Sequence, residues 1–286
     1  MKILVTGASG FIGSSLIPAL LSENHKVFTL VRSVKKIKSF DWYPKVKTIN
    51  KDLKSLTKDD IEDINPDIIY HLAWSDLPNY EDPIHIEKNL PEQLFFLRLV
   101  AECNVKKIII TGSCLEYGLQ NGLLNEENTL QPSTFYGLAK ASVLSMANHL
   151  KNKFGFDFVW YRIFYVYGEN QNQSSLYPSL INAIKNEESV FKMSHGNQMR
   201  DFIHIDDVIK YLLIPLHDYT ISGIYNISNG KGIKVKDFVE RIVHLHGSQI
   251  KINFGHYAIP NYEPNNFWGD NSKIKKIKNK EFKSKD

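Results

Sequence analysis

A tyrosine and a lysine four residues apart, Tyr136 and Lys140, could form a proton-transfer site together with Ser113. A free phenol has a pKa near 10 and exchanges protons poorly at neutral pH. A nearby ammonium group favours the phenolate and brings the phenol closer to use. Ser113 follows an apolar run, and its hydroxyl could bond the same substrate oxygen. The three side chains predict acid/base chemistry at an oxygen.

Positioning of this pair requires a helix. Residues 131–134 form a plausible helix entry, and we expect a helix running to about Phe154. Residues four apart lie on one helix face, so Tyr136 and Lys140 would share a site. By itself this spacing is also found by accident, as a half-buried tyrosine beside a surface lysine.

A glycine turn near the N-terminus predicts a second site. Gly7, Gly10 and Gly13 stand between an apolar run at residues 3–5 and a segment with helical spacing at residues 16–21. Glycines in such a turn let backbone amides approach a diphosphate, and the N-terminus of the following helix favours negative charge. A dinucleotide is therefore the expected ligand, although glycines also mark ordinary tight turns.

Arg32, at the end of the second predicted strand, bears on which dinucleotide binds. In dinucleotide-binding folds an acidic residue about 20 positions past the glycines holds a ribose 2′-hydroxyl, whereas an arginine accommodates a 2′-phosphate. The arginine predicts NADP(H) in preference to NAD(H). The alternative is a basic loop edge exposed to solvent.

Apolar strands alternate with helical segments along the first half of the chain. The predicted strands after residues 3–5 are residues 26–31, 46–50, 66–73 and 107–111, and a long helix is expected within residues 85–103. Continuous apolar strands separated by helices are typical of a parallel sheet covered on both faces. The pattern predicts a doubly wound α/β fold.

Composition is that of a soluble globular enzyme. The chain has 286 residues, 43% of them hydrophobic and 23% charged, with a net charge of +4. This charge does not suggest a nucleic-acid partner, and we expect no membrane span and no signal peptide. Cys103 and Cys114 lack metal or disulfide spacing, which predicts reduced thiols and a cytoplasmic location. His71 is expected to be a hydrogen-bonded residue at a strand end, and no metal site is predicted.

The glycine turn, Ser113, Tyr136 and Lys140, in this order, resemble the extended short-chain dehydrogenase/reductase family, in its nucleotide-sugar epimerase, dehydratase and reductase group. The family-like motifs also include segments 162–168 and 200–208. The cofactor-binding residues that the resemblance implies are Gly7, Ser9, Gly10, Phe11, Ile12, Gly13, Arg32, Ser33, Asp52, Leu53, Leu72, Ala73, Asn89, Thr111, Tyr136 and Lys140.

This resemblance implies hydride exchange between a nicotinamide and a sugar carbon. Tyr136 would be the acid/base, Lys140 would hold the ribose and tune Tyr136, and Ser113 would steady the oxygen. Substrate contacts are expected from Ser113, Tyr165 and Arg200, since a guanidinium suits a diphosphate. Arg200 could instead form a structural pair with Asp201, Asp206 or Asp207.

The resemblance further implies a Rossmann domain and a smaller α/β C-terminal substrate domain. The first would comprise residues 1–164 and about 202–224, and the second residues 165–201 and 225–286. Relatives often pair through helices like those expected at residues 85–103 and 135–154, so we expect a homodimer.

Departures from the family pattern narrow the expected reaction. Related 4,6-dehydratases carry an acid pair where this chain has Cys114 and Leu115, which argues against dehydration. Tyr165 replaces an asparagine that contacts the substrate in many relatives. We expect NADPH-dependent reduction of a dTDP- or CDP-linked 4-keto-6-deoxyhexose, for lipopolysaccharide or another surface polysaccharide. A nucleotide-sugar epimerase and a noncatalytic dinucleotide sensor remain as alternatives.

Overall fold

The computed structural model describes residues 1–103, 105–259 and 261–283 of the chain. Its α-helices are α1 (Phe11–Ser22), α2 (Lys58–Glu62), α3 (Leu90–Glu102), α4 (Phe135–Phe154), α5 (Leu176–Lys185), α6 (Ile205–His217), α7 (Val235–Leu245) and α8 (Ser272–Lys283). The strands are β1 (Lys2–Thr6), β2 (Lys26–Val31), β3 (Lys47–Asn50), β4 (Ile68–His71), β5 (Lys107–Ser113), β6 (Gly122–Leu124), β7 (Asp157–Ile163), β8 (Tyr165–Tyr167), β9 (Val190–Lys192), β10 (Met199–Arg200), β11 (Phe202–His204), β12 (Gly223–Ile227), β13 (Ile233–Lys234), β14 (Lys251–Asn253) and β15 (Phe267–Gly269).

Seven parallel strands form the central sheet, in the order β12-β7-β5-β4-β1-β2-β3. The direction of winding reverses between β1 and β4, since β2 lies on one side of β1 and β4 on the other. This is the strand order of a Rossmann sheet, in which ligands bind beyond the carboxyl ends of the strands at the reversal. The predicted doubly wound α/β class is confirmed.

Helices cover both faces of the sheet, which explains why its strands are apolar throughout. Helices α1 and α6 pack together on one face, and α3 and α4 pack together on the other. Alternate residues of β1 point to opposite faces of the sheet. Ile3 and Val5 pack in the hydrophobic cluster that contains α1, while Leu4 packs in the cluster that contains α3. Burying each large aliphatic side chain contributes roughly 1.5–3 kcal/mol.

Short strands pair in four further two-stranded sheets. They are β8 with β11, β9 with β14, β10 with β13, and β6 with β15. A separate core of Leu180, Met193, Phe238, Val239 and their neighbours lies under α5 and α7. The division of the chain into two domains stays a prediction.

Across the described ranges, none of the helices has the length and apolar character needed to cross a bilayer.

One predicted helix differs at its start, and one strand of the central sheet was not predicted. The helix expected over residues 85–103 begins as one π-helical turn, His85–Asn89, before α3, whose second residue is Pro91. Strand β12 was not expected, because its sequence mixes glycine, tyrosine and asparagine with two isoleucines. It is nevertheless the seventh strand of the sheet, paired along its length with β7.

Candidate active site

The carboxyl end of β1 and the N-terminus of α1 meet at the strand reversal. Gly10 is the N-cap of α1 and has no side chain to bond the first amides of the helix. The first turn, from Phe11 to Ser14, also has no acidic side chain. Free amides at a helix N-terminus, together with the helix dipole, form a site for an anion such as a diphosphate.

Close packing explains two of the three glycines. Gly7 has a φ of +73°, and a Cβ there would lie 2.7 Å from the Ala73 nitrogen. A Cβ on Gly13 would lie 2.3 Å from the Gly7 carbonyl oxygen, so Gly13 permits α1 to contact the turn. These roles, backbone approach and helix packing, are those expected of a dinucleotide-binding turn. The residues fit a dinucleotide.

A cavity of about 140 Å³ lies beside this turn, and we call it the glycine-turn cavity. Its lining includes nine of the predicted cofactor residues. These are Gly7, Ser9, Gly10, Arg32, Asp52, Leu53, Leu72, Ala73 and Asn89. The structure therefore brings together residues that follow β1, β2, β3 and β4 in the chain, from Gly7 to Asn89.

A larger cleft of about 520 Å³ adjoins it, and we call it the tyrosine cleft. Gly10, Arg32 and Leu72 line both spaces, so the two are neighbours. Predicted site residues that line the cleft are Phe11, Ile12, Thr111, Ser113, Tyr136, Lys140 and Tyr165. Among the described residues, Gly13, Ser33 and Arg200 were predicted for the site but lie outside the lining of these two spaces.

The predicted catalytic set meets in the tyrosine cleft. Helix α4 begins after Thr134, whose side chain accepts a hydrogen bond from the Gly137 amide over 3.0 Å. Strand β5 ends at Ser113, whose side chain is hydrogen-bonded to that of Tyr136. Lys140 donates from Nζ to the Thr111 carbonyl over 2.7 Å. One helix and one strand end thus fix all three groups.

Trp74 is a neighbour that the sequence did not indicate. Lys140 Nζ lies 4.1 Å from the centre of the Trp74 ring and 5.7 Å from that of Tyr136. The Trp74 and Tyr136 rings meet edge to face with centroids 5.4 Å apart. The Lys140 ammonium group is therefore held by a carbonyl and by an indole face, the latter a cation–π arrangement.

Burial controls the protonation of this pair. It raises the pKa of Tyr136, and the hydrogen bond from Ser113 opposes that rise. Burial also lowers the pKa of Lys140 to about 7, against the attraction of Glu116. We expected the lysine to favour the phenolate, but desolvation of both groups outweighs that effect in this structure.

A buried ion pair lies directly behind Ser113. Glu116 accepts hydrogen bonds from the Ser113 amide over 2.8 Å and from Arg162 Nε over 2.8 Å. Trp160 Nε1 donates to the same carboxylate over 3.1 Å. A Cβ on Gly112 would come within 2.4 Å of Glu116 Oε1, so the glycine makes room for the carboxylate. The spacing Ser-x-x-Glu is a capping-box signal that could have indicated Glu116.

The expected role of His71 is confirmed by its contacts. Its Nδ1 lies 2.8 Å from Thr6 Oγ1, and its Nε2 lies 2.5 Å from Gln93 Oε1. Burial, together with the nearby Lys140 charge, lowers the pKa of His71 to about 3. The Thr6 hydroxyl also accepts from the Ala73 amide over 3.3 Å, so this chain of bonds joins the strands that border the glycine turn.

Arg200 is buried, and its partner is a residue that the sequence did not indicate. Its Nη2 donates to Glu263 Oε2 over 2.8 Å, and the Tyr165 hydroxyl donates to Glu263 Oε1 over 2.7 Å. The carboxylates considered as partners lie elsewhere; Asp201, for example, accepts from the Asn229 and Gly230 amides. A part for Arg200 in substrate binding stays a prediction.

Comparisons with known proteins agree with this arrangement. Residues 3–228 match the model of the NAD dependent epimerase/dehydratase family. The chain is 27% identical to the dTDP-6-deoxy-L-talose 4-dehydrogenase (NAD(+)) of Aggregatibacter actinomycetemcomitans, over 94% of this chain and 99% of that protein. It is 25% identical to the dTDP-4-dehydro-6-deoxyglucose reductase of Escherichia coli, over 84% of this chain and 80% of that protein.

A solved structure shares nearly the whole fold. The UDP-glucuronic acid 4-epimerase of Bacillus cereus, in complex with UDP-glucuronic acid and NAD, matches with a TM-score of 0.84 and 25% identity. The match covers 97% of this chain and 92% of that one. The family model, the sheet order and the resemblance stated from the sequence all agree. The chain belongs to the NAD dependent epimerase/dehydratase family, within the extended short-chain dehydrogenases/reductases.

Proposed function

We propose that this protein reduces a nucleotide-linked 4-keto-6-deoxyhexose, carried on dTDP or CDP, with NADPH. The observation that carries the proposal is that the glycine-turn cavity adjoins the tyrosine cleft, which is lined by Ser113, Tyr136 and Lys140. The names of two similar proteins, a 6-deoxytalose 4-dehydrogenase and a 4-dehydro-6-deoxyglucose reductase, support the substrate class. The product would serve surface polysaccharide synthesis.

Each part of the dinucleotide has a fitting group in this chain. The turn around Gly7 and Gly10 and the α1 amides would hold the diphosphate, and Arg32 would bind the 2′-phosphate. Lys140 would hold the nicotinamide ribose. When bound, the reduced nicotinamide supplies a hydride.

Proton transfer would fall to Tyr136. As the sugar C4 carbonyl accepts the hydride at carbon, the Tyr136 hydroxyl would donate its proton to the oxygen, and the Ser113 hydroxyl would hydrogen-bond the same oxygen. The raised pKa of Tyr136 keeps the phenol protonated at neutral pH, which suits an acid. The Lys140 ammonium would stabilise the phenolate that remains.

An epimerase is the second candidate function. Ser113, Tyr136 and Lys140 would be needed equally, and the Bacillus cereus structure with NAD is that of an epimerase. Arg32 favours the reductase, because a reductase consumes its cofactor and gains from a preference for NADPH. A noncatalytic sensor would have no need of the hydrogen-bonded Ser113 and Tyr136.

The test is the absorbance of the reduced nicotinamide. Purified protein is mixed with NADPH or NADH and a panel of dTDP- and CDP-linked 4-keto-6-deoxyhexoses. We expect loss of the NADPH signal with one of them. Isomerisation of a non-keto nucleotide sugar without net cofactor change would instead show an epimerase.

A homodimer is also proposed, and a monomer mass by light scattering would reject it.

A further inference from the structure

The tyrosine cleft contains a carboxylate that the proposed reaction does not use. Glu263 lines the cleft with Tyr136 and Ser113, although it comes from the segment before β15. Its side chain is 13% exposed. A charged group in this position faces whatever sugar enters the cleft.

Arg200 and Tyr165 both hold that carboxylate through hydrogen bonds. Arg200 Nε and Nη2 both donate to Glu263 Oε2, over 3.3 and 2.8 Å, and the Tyr165 hydroxyl donates to Oε1. An ionised carboxylate offers about four lone-pair positions. The three bonds occupy up to three of these positions, so at least one stays free to accept a hydrogen bond from a ligand.

The guanidinium has other partners as well. Arg200 Nη1 donates to the carbonyls of Met199 and Asn265 over 2.8 and 3.1 Å. Its guanidinium carbon lies 5.5 Å from the Tyr165 ring centre and 5.1 Å from that of Phe267. Every nitrogen of the side chain therefore has a partner, and Arg200 acts on the cleft through Glu263.

The Glu263 charge reaches the groups around the acid/base site. It is one of the influences, after burial, that raise the pKa of the Cys114 thiol and of the Tyr80 hydroxyl. The Tyr80 ring lies 5.4 Å from that of Tyr136. Glu263, Tyr80 and Tyr136 all line the tyrosine cleft, so a sugar held there would meet the Glu263 charge.

We propose that Glu263 selects the sugar. Its carboxylate accepts hydrogen bonds from hydroxyl groups of the substrate and repels sugars that carry a carboxylate, so that neutral hexoses are preferred to uronic acids. This inference rests on the proposed nucleotide-sugar function of the cleft. Arg200 and Tyr165 are positioning residues in it, because each holds the carboxylate through a hydrogen bond.

The test compares the binding of three ligands by titration calorimetry in the presence of NADPH: dTDP-glucose, dTDP-glucuronic acid and dTDP. The corresponding uridine ligands, UDP-glucose, UDP-glucuronic acid and UDP, are measured in parallel. Glu263→Gln removes the charge and keeps the size of the side chain. Glu263→Asp keeps a carboxylate as the counter-charge for Arg200, but its shorter side chain withdraws that carboxylate from the cleft. This variant replaces Glu263→Gln in the test if the glutamine variant fails to fold. Glu240→Gln, at an exposed position on α7, is the control for loss of one charge.

For the wild type we expect the neutral sugar to bind at least about tenfold more tightly than the uronate. A hydrogen bond to a charged group corresponds to about a tenfold change in binding, so Glu263→Gln should weaken dTDP-glucose by that factor. The same variant should bind dTDP-glucuronic acid at least as tightly as the wild type does. The preference for the neutral sugar over the uronate should therefore be lost. Glu263→Asp should also weaken the neutral sugar, and Glu240→Gln should match the wild type.

Binding of dTDP or UDP alone distinguishes failure of this inference from failure of the proposed function. It should be the same in all variants if Glu263 acts on the sugar. Tighter nucleotide binding in Glu263→Gln would overturn the inference, because it would mean that Glu263 blocks Arg200 from the diphosphate. Equal affinities for the two sugars in the wild type would overturn it while leaving the proposed function intact. Absence of binding by any of these ligands would count against the proposed function itself.

Discussion

The Ser113 amide donates to Glu116 Oε1 over 2.8 Å, so a buried carboxylate fixes the backbone of a proposed catalytic residue. Glu116 is fully buried and Arg162 is 2% exposed, which makes their pair an internal one. Such a pair is poor evidence of net stability, yet removing one partner leaves a buried charge without compensation. The geometry of the cleft therefore depends on a bond that lies outside it.

The first prediction concerns this pair. Glu116→Gln should lower the free energy of unfolding by about 3 kcal/mol, because Arg162 would remain charged in a buried site. Urea denaturation followed by circular dichroism measures the change. Glu102→Gln is the control, since Glu102 pairs with Arg98 at the exposed surface of α3 and its loss should have no measurable effect. Equal effects of the two substitutions would contradict the account.

Arg32 provides the second prediction. Arg32→Gln should raise the KM for NADPH about tenfold, since a charge-assisted bond to the 2′-phosphate is lost, and should leave the KM for NADH unchanged. Steady-state kinetics with both cofactors measure this. Lys36→Gln, an exposed residue on the same loop, should change neither value. A wild-type enzyme with the higher kcat/KM for NADH would refute the preference inferred from Arg32.

The third prediction concerns the acid. Tyr136→Phe should reduce kcat by about 10²–10⁴-fold, because the proton donor is removed while the ring packing against Trp74 remains. Affinity for NADPH, measured by fluorescence titration, should be retained. Tyr257→Phe, at a 56% exposed position, is the matched control and should keep full activity. Full activity in Tyr136→Phe would remove the tyrosine from the mechanism.

Lys140 leads to a fourth prediction, about pH. Burial lowers its pKa to about 7, whereas the unfolded chain has the ordinary value of 10.5. Between these values the unfolded state binds more protons, so this group makes the fold more stable as pH rises. The cost of burying the charge is fully present below about pH 7.

The measurement is the unfolding free energy of the wild type and of Lys140→Met from pH 7 to 9. Because other titrating groups are common to both proteins, the wild type should gain stability relative to the variant across this range. A constant difference between the two would show that the lysine keeps its ordinary pKa in the fold. A difference that changes in the opposite direction would show a raised pKa.

Local signals made much of this site predictable from the sequence. The glycine turn, the i to i+4 spacing of Tyr136 and Lys140, and the apolar strands each depend on residues close together in the chain. The parallel sheet then brings the strand ends to one edge, and the resemblance to the family indicated Asp52, Leu72 and Asn89, which line the cavity there. These features can be predicted without knowing which residues far apart in the chain contact each other.

Long-range partners could not be read from spacing. Glu263 meets Tyr165 across 98 positions and Arg200 across 63, and the segment that carries it has neither helical nor alternating periodicity. The same reason applies to β12, whose place at the edge of the sheet is set by pairing with β7. The raised pKa of Tyr136 was missed because spacing indicates a neighbouring lysine but gives no measure of burial.

The bare N-terminus of α1 has a thermodynamic consequence. Since Gly10 supplies no capping side chain, a bound diphosphate would complete the helix, and binding would be coupled to the folding equilibrium. A ligand that binds only the native state adds about 2.7 kcal/mol at a hundredfold excess over its Kd. Melting temperature then ranks NADPH against NADH without any sugar substrate, so the cofactor can be identified before the reaction is known.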